Sequence, residues 1–144
     1  MSWKKLLQSN SVHRHNASRQ ELSDIRRLVA RDLADAAFPA LSEDRRFATA
    51  YNAALQIAKM AIACDGYRVA SVPGHHRLTF EGAKLSLGKQ AEQLADYFDA
   101  CRRKRNEIDY RTPRSPHDRG RPTRLPLEII SQNGGRMVSK QLTR

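Results

Sequence analysis

The chain has 144 residues, the length of a single domain, and a formal net charge of +11 at pH 7. No stretch reaches the roughly eighteen consecutive apolar residues of a membrane span, so we expect a soluble, cytoplasmic protein with no membrane partner. Cys64 and Cys101 are far apart and fall on apolar positions of helical patterns, which predicts two buried thiols instead of a disulfide or a zinc site. The five histidines show no ligand spacing, so no metal and no cofactor is predicted.

The positive charge is concentrated at the two ends of the chain. Residues 1–20 carry four basic and no acidic side chains, and residues 111–144 carry eight basic and two acidic ones. The stretch between them has fourteen basic and thirteen acidic residues and is nearly neutral. Basic ends favour polyanions, above all nucleic acid, through phosphate contacts, but they also keep a small protein soluble. Composition leaves both interpretations open.

Residues 1–17 show no clear periodicity, and we predict a flexible basic N-terminal arm there. Ser18 followed by Glu21 is a capping-box signature and predicts the start of the first helix. An apolar stripe at helical spacing follows, and Pro39 ends it. The stripe consists of Leu22, Ile25, Val29, Leu33 and Ala36.

Three more helices follow. Ser42 predicts the N-terminus of the second helix, whose alanine-rich apolar face runs to a glycine C-cap at Gly66. The segment HHRLTFEGAKLSLG indicates a shorter third helix closed by Gly88, and a fourth helix runs from about Lys89 to Tyr110. No strand alternation or hairpin signal is evident, and residues 67–74 are interpreted as a connection.

These patterns predict an all-α fold, an up-and-down four-helix bundle over residues 18–110. Residues 111–144 form a Pro/Arg-rich tail, with four prolines in the sixteen residues of RTPRSPHDRGRPTRLP. Because proline interrupts helices, we expect this basic tail to be disordered or extended.

One arginine interrupts the apolar stripe of the fourth helix. Arg105 falls between Cys101 and Ile108 on that stripe, where a buried guanidinium would need strong pairing. Either Arg105 closes the end of the bundle in a pair with Asp109, or it binds a phosphate in a cleft or dimer seam. Arg102 and Asp109 flank it on one side and are candidate binding residues.

The segments YNAALQIAKMAIACDGYR, GHHRLTFEGAKL and RRKRNEIDY make the chain resemble the HEPN family of small prokaryotic helical domains. The family motif is an arginine, a polar residue and, a few residues later, a histidine; here Arg105, Asn106 and Tyr110 match it, with tyrosine in place of histidine. The resemblance implies a helical bundle that dimerises to form a composite cleft. It also implies a metal-independent RNA-cleaving role in toxin–antitoxin or defence systems, often beside a nucleotidyltransferase partner, although some members only bind.

The tyrosine weakens the expectation of catalysis. With a reference pKa of about 10, only around one tyrosine in a thousand is ionised at pH 7, so Tyr110 is a poor general base. Arg105 and Tyr110 also lie about 140° apart on a continuous helix, so they converge only if the helix ends between them or a second copy lies alongside. Three functions stay open: a ribonuclease using Arg105, Asn106 and Tyr110, a non-catalytic RNA- or nucleotide-binding module, and a dimeric interaction module.

Overall fold

The computed structural model describes residues 1–110, except for the side chains of Gln90, Arg105, Ile108, Asp109 and Tyr110. The predicted tail at 111–144 lies outside the described residues. Within them the fold is mostly helical, as predicted, with five helices and two short strands. In chain order these are α1 (Trp3–Gln8), β1 (Val12–Arg14), α2 (Arg19–Ala36), α3 (Glu43–Cys64), β2 (Tyr67–Val69), α4 (His75–Leu87) and α5 (Lys89–Tyr110).

The N-terminal segment corrects two predictions, the flexible arm at 1–17 and the absence of strand. β1 pairs antiparallel with β2, with Val12 opposite Val69, and the ring of Trp3 stacks on Tyr67 at 4.4 Å between centroids. Leu6 and Val12 are buried at 6% and 1% exposure, so burial of apolar surface holds this segment against the helices. The strands have three residues each, too few for an alternating pattern to show in the sequence.

The predicted helix ends are confirmed by their caps. Ser18 accepts a hydrogen bond from the Glu21 amide at 3.1 Å, and Ser42 accepts one from the Arg45 amide at 3.3 Å. Gly88 follows α4 with φ of 72°, a conformation that favours glycine. The Glu21 carboxylate does not reach back to its own cap; it contacts Nε2 of His15 at 2.8 Å and so joins the residue that follows β1 to α2.

The core is built around α3, which packs against α2, α4 and α5. Tyr51 and Ile62 are almost fully buried, and the small side chains on α3 let its neighbours approach closely. The buried alanines of α3 are Ala50, Ala53, Ala54, Ala58 and Ala61. The stripe predicted on α2 is only half-buried except at Ala36, so the other elements cover only part of the apolar side of α2.

The two cysteines differ in their exposure to solvent. Cys101 is buried, as predicted, whereas Cys64 at the end of α3 is exposed, so the prediction of two buried thiols is wrong for Cys64. Cys64 is the last residue of α3, next to the short turn that leads into β2. Burial in the core raises the pKa of the Cys101 thiol.

Candidate functional site

The predicted motif lies on the C-terminal part of α5. This helix continues without a break to Tyr110, so the motif positions 105 and 110 lie about 140° apart on one helix. Of the two ways in which they could converge, an end of the helix between them is therefore excluded. Asn106 is exposed, and the side chains of Arg105, Asp109 and Tyr110 lie outside the described residues.

Arg102, predicted as a binding residue, is half-buried and pairs with a carboxylate one turn earlier. Its Nε donates to Oδ1 of Asp99 at 2.9 Å, and Nη2 of Arg103 lies 3.4 Å from Oδ2 of the same residue. Burial alone would raise the pKa of Asp99, but the hydrogen bond from Arg102 and the charges of both arginines outweigh it and hold that pKa below its usual range. Asp99 therefore stays ionised and fixes Arg102 on the helix surface.

The ring contacts show which elements meet this part of α5. Phe80 of α4 stacks on Phe98 at 6.0 Å between centroids, and Lys84 pairs with Asp96 further along. Residues later in α4 thus contact residues earlier in α5, so the two helices are antiparallel. The first turn of α4 consequently lies beside the C-terminal half of α5.

The N-terminal half of α3 meets the same end of the molecule. The ammonium of Lys104 lies 5.2 Å from the ring centroid of Phe47, a cation–π geometry. One turn further along α3, the hydroxyl of the fully buried Tyr51 lies 3.3 Å from Nδ1 of His76 in the first turn of α4. Along α3, the tyrosine–histidine pair therefore lies one helical turn from the contact with Lys104 of α5.

Sequence reasoning did not single out His76, which the structure places against Tyr51. It precedes Phe80 and Ala83 by four and seven residues, which places it on the buried stripe of α4. That spacing is the sequence signal by which His76 could have been found, because a histidine on an apolar stripe faces the core and the neighbouring helices. Histidine can exchange a proton near neutral pH, which tyrosine does not ordinarily do.

Among the side chains that the structure describes, no group of three or more histidine, cysteine or acidic residues could hold a metal ion. Among the helices described, none is long and apolar enough to cross a membrane.

No protein-family model matches the chain, and no curated protein or solved structure is significantly similar to it. The HEPN resemblance therefore stays a hypothesis based on its own motif and helix pattern.

Proposed function

We propose that the chain is a HEPN-like RNA-interacting protein in which α2 to α5 form the four-helix bundle of that family. In this proposal the C-terminal half of α5 binds RNA at the end of the bundle where α3 and α4 meet it. The observation that carries the proposal is the contact of Tyr51 on α3 with His76 on α4, because these two helices also contact α5 through Phe47 and Phe80. It supplies a histidine where the motif itself has only Tyr110.

Such a site could cleave RNA without a metal. The 2′-hydroxyl oxygen attacks the adjacent phosphorus, its proton passes to a base, and the bond from phosphorus to the 5′-oxygen breaks as that oxygen gains a proton. The products are a 2′,3′-cyclic phosphate and a 5′-hydroxyl end, so no water or cofactor is consumed. We assign the proton exchange to His76, oriented through Nδ1 by Tyr51. Arg105 stabilises the phosphate, and Asn106 and Tyr110 position the hydroxyl.

Because α5 is continuous, the proposed site requires a homodimer. Because one copy carries Arg105 and Tyr110 about 140° apart, a single site that uses both needs a second α5 alongside. We expect light scattering at micromolar concentration to give twice the 16.4 kDa of one chain. A monomer alone would contradict the composite cleft.

The test is incubation of the pure protein with mixed RNA in EDTA. We expect slow cleavage by the parent, at least a hundredfold less by His76→Gln, and a gain in Tyr110→His. Arg105→Ala should weaken both binding and cleavage. The matched control is His13→Gln, an exposed histidine on β1, which should behave like the parent. Cleavage at the parental rate by His76→Gln would exclude His76 from the reaction.

A non-catalytic RNA- or nucleotide-binding module is the second candidate, favoured by the tyrosine that ends the motif. It would bind RNA with a steep salt dependence, about 0.7 per phosphate contact on a log–log plot, but leave it intact in the parent and in Tyr110→His. A toxin–antitoxin or defence role with a nucleotidyltransferase partner follows from the resemblance alone. If Arg105→Ala binds RNA unchanged and no variant cleaves it, the dimeric interaction module is the function that remains.

A further inference from the structure

A cleft of about 640 Å³ opens between α2, α3 and β2, and its described lining includes no residue of α5. Ile25 and Leu28 of α2 and Val69 of β2 form an apolar wall. Lys59 of α3 and Arg68 of β2 lie in the same lining. The cleft thus combines an apolar surface with two cations. Its lining also includes His75 and Thr79 of α4, but none of the side chains assigned to the proposed RNA site.

The carboxylates of the cleft are engaged by other groups. Glu21 contacts Nε2 of His15 at 2.8 Å. Asp24 accepts a hydrogen bond from Gln20 at 2.9 Å and pairs with Arg27, whose hydrogen bond is the main reason that the pKa of Asp24 is lowered. Both acids therefore belong to local pairs at the start of α2.

Lys59 and Arg68 form a like-charged pair. In the described residues neither cation lies within ion-pair distance of a carboxylate. Burial lowers the pKa of Lys59, and the positive charge of Arg68 lowers it further. Lys59 is half-buried and Arg68 is exposed, and an anion bound between them would offset the repulsion between their charges.

We propose that this cleft binds a small phosphate monoester of mononucleotide size, with its phosphate on Lys59 and Arg68 and its body against Ile25 and Val69. Two cations in the lining of one cleft suit a doubly charged phosphate better than a carboxylate of single charge. The cleft volume lies in the range of small-molecule sites, and the apolar wall suits a planar body. This inference goes beyond the RNA function and does not depend on it.

Isothermal titration of the full chain with adenosine monophosphate, phenyl phosphate, inorganic phosphate and adenosine tests the proposal. We expect both organic phosphates to bind at least tenfold more tightly than inorganic phosphate, and adenosine to bind at least tenfold more weakly than its monophosphate. Lys59→Met and Arg68→Gln should each weaken monophosphate binding at least tenfold, since each removes one charge-assisted contact. Lys4→Met, at an exposed lysine of α1, is the matched control and should leave binding unchanged.

Thermal unfolding gives a second readout, in which the midpoint of the free protein does not depend on ligand affinity. Lys59→Met should raise the midpoint of the free protein, because it removes a half-buried charge next to Arg68, and should abolish the shift caused by adenosine monophosphate. Equal affinity for the monophosphate and inorganic phosphate, no binding at millimolar concentration, or unchanged binding in both cleft variants would overturn the proposal. The proposal of a small ligand would also be overturned if a 5′-phosphorylated oligonucleotide bound tenfold more tightly than the monophosphate. That result would assign the cleft to the 5′ end of an RNA.

Discussion

Replacement of Gly82 by alanine tests the packing of α4 on α3 that holds His76 beside Tyr51. A Cβ at position 82 would lie 2.9 Å from Cδ1 of Ile62 and 3.5 Å from Cη2 of Trp3. Ile62 is 1% exposed, so its terminal methyl group has no solvent to move into. The added methyl group must therefore push α4 away from α3 or force Ile62 from its rotamer.

Two opposing effects set the size of the change. Alanine in a helix interior is more favourable than glycine by about 1 kcal/mol. Overpacking of a filled core costs about 1–3 kcal/mol, and burial on both sides of the contact places Gly82→Ala in the upper half of that range. We expect a net loss of about 1 kcal/mol in the free energy of unfolding, which lowers the thermal midpoint by a few degrees.

A double-mutant cycle with Ile62→Val isolates the clash, since valine lacks the Cδ1 methyl group. Ile62→Val alone should cost about 0.5–1.5 kcal/mol. In the Gly82→Ala background it should cost at least 0.5 kcal/mol less, measured by urea unfolding followed by circular dichroism. Ile57→Val, five residues earlier on α3, is the matched control and should be additive with Gly82→Ala. If Gly82→Ala stabilises the protein and Ile62→Val is additive with it, the close contact of α3 and α4 at this point is refuted.

Three further changes test other parts of the fold. The buried Oγ of Ser86 has no hydrogen-bond partner in the described part of the chain. Ser86→Ala should therefore raise the free energy of unfolding in urea by about 1 kcal/mol. A loss of stability would show that Oγ does have a hydrogen-bond partner. Burial, reinforced by Cys101, raises the pKa of Tyr97 to about 12, so the folded protein keeps a phenol that the unfolded chain ionises near pH 10. Stability should therefore fall as pH rises from about 10 toward 12, and Tyr97→Phe should flatten that fall; an unchanged slope would contradict the assignment. Val12 is 1% exposed, so Val12→Ser should lower the free energy of unfolding by about 2 kcal/mol, measured by thermal unfolding. The control His13→Ser, at an exposed position of the same strand, should be nearly neutral. Equal effects would argue against packing of this strand on the helices.

The four long helices could be predicted because their signals are local. Ser18 and Ser42 lie next to the helices they cap, and Gly88 lies directly after the helix it ends. The small sheet could not be predicted, since it joins residues 12–14 to residues 67–69, and neither segment shows a pattern of its own. Only the pairing across some fifty-five residues makes these segments strands, and a single sequence does not encode that pairing visibly.

Only the part of the candidate site that lies on α5 could be predicted from the sequence. Arg105 stood out because it interrupts an apolar stripe, a signal within one helix. His76 did not stand out, because its surroundings are set by contacts between distant segments. These are the antiparallel packing of α4 on α5 and the contact with Tyr51, which is twenty-five residues earlier in the chain. The cleft beside α2 depends in the same way on β2, an element that the sequence did not reveal.

The first turn of α4 contributes neighbouring residues to both proposed sites, which allows the two proposals to be separated. His75 lines the cleft, His76 contacts Tyr51, and the two rings lie edge to face with their centroids 4.4 Å apart. The exposed ring of His75 donates from Nδ1 to the carbonyl of Val72 at 3.1 Å, so its removal leaves the core intact. We therefore expect His75→Gln to weaken adenosine monophosphate binding several-fold and to leave RNA cleavage unchanged, and His76→Gln to do the reverse. If His75→Gln abolished cleavage as well, the two histidines would act in one site, and the assignment of α4 to two separate sites would be wrong.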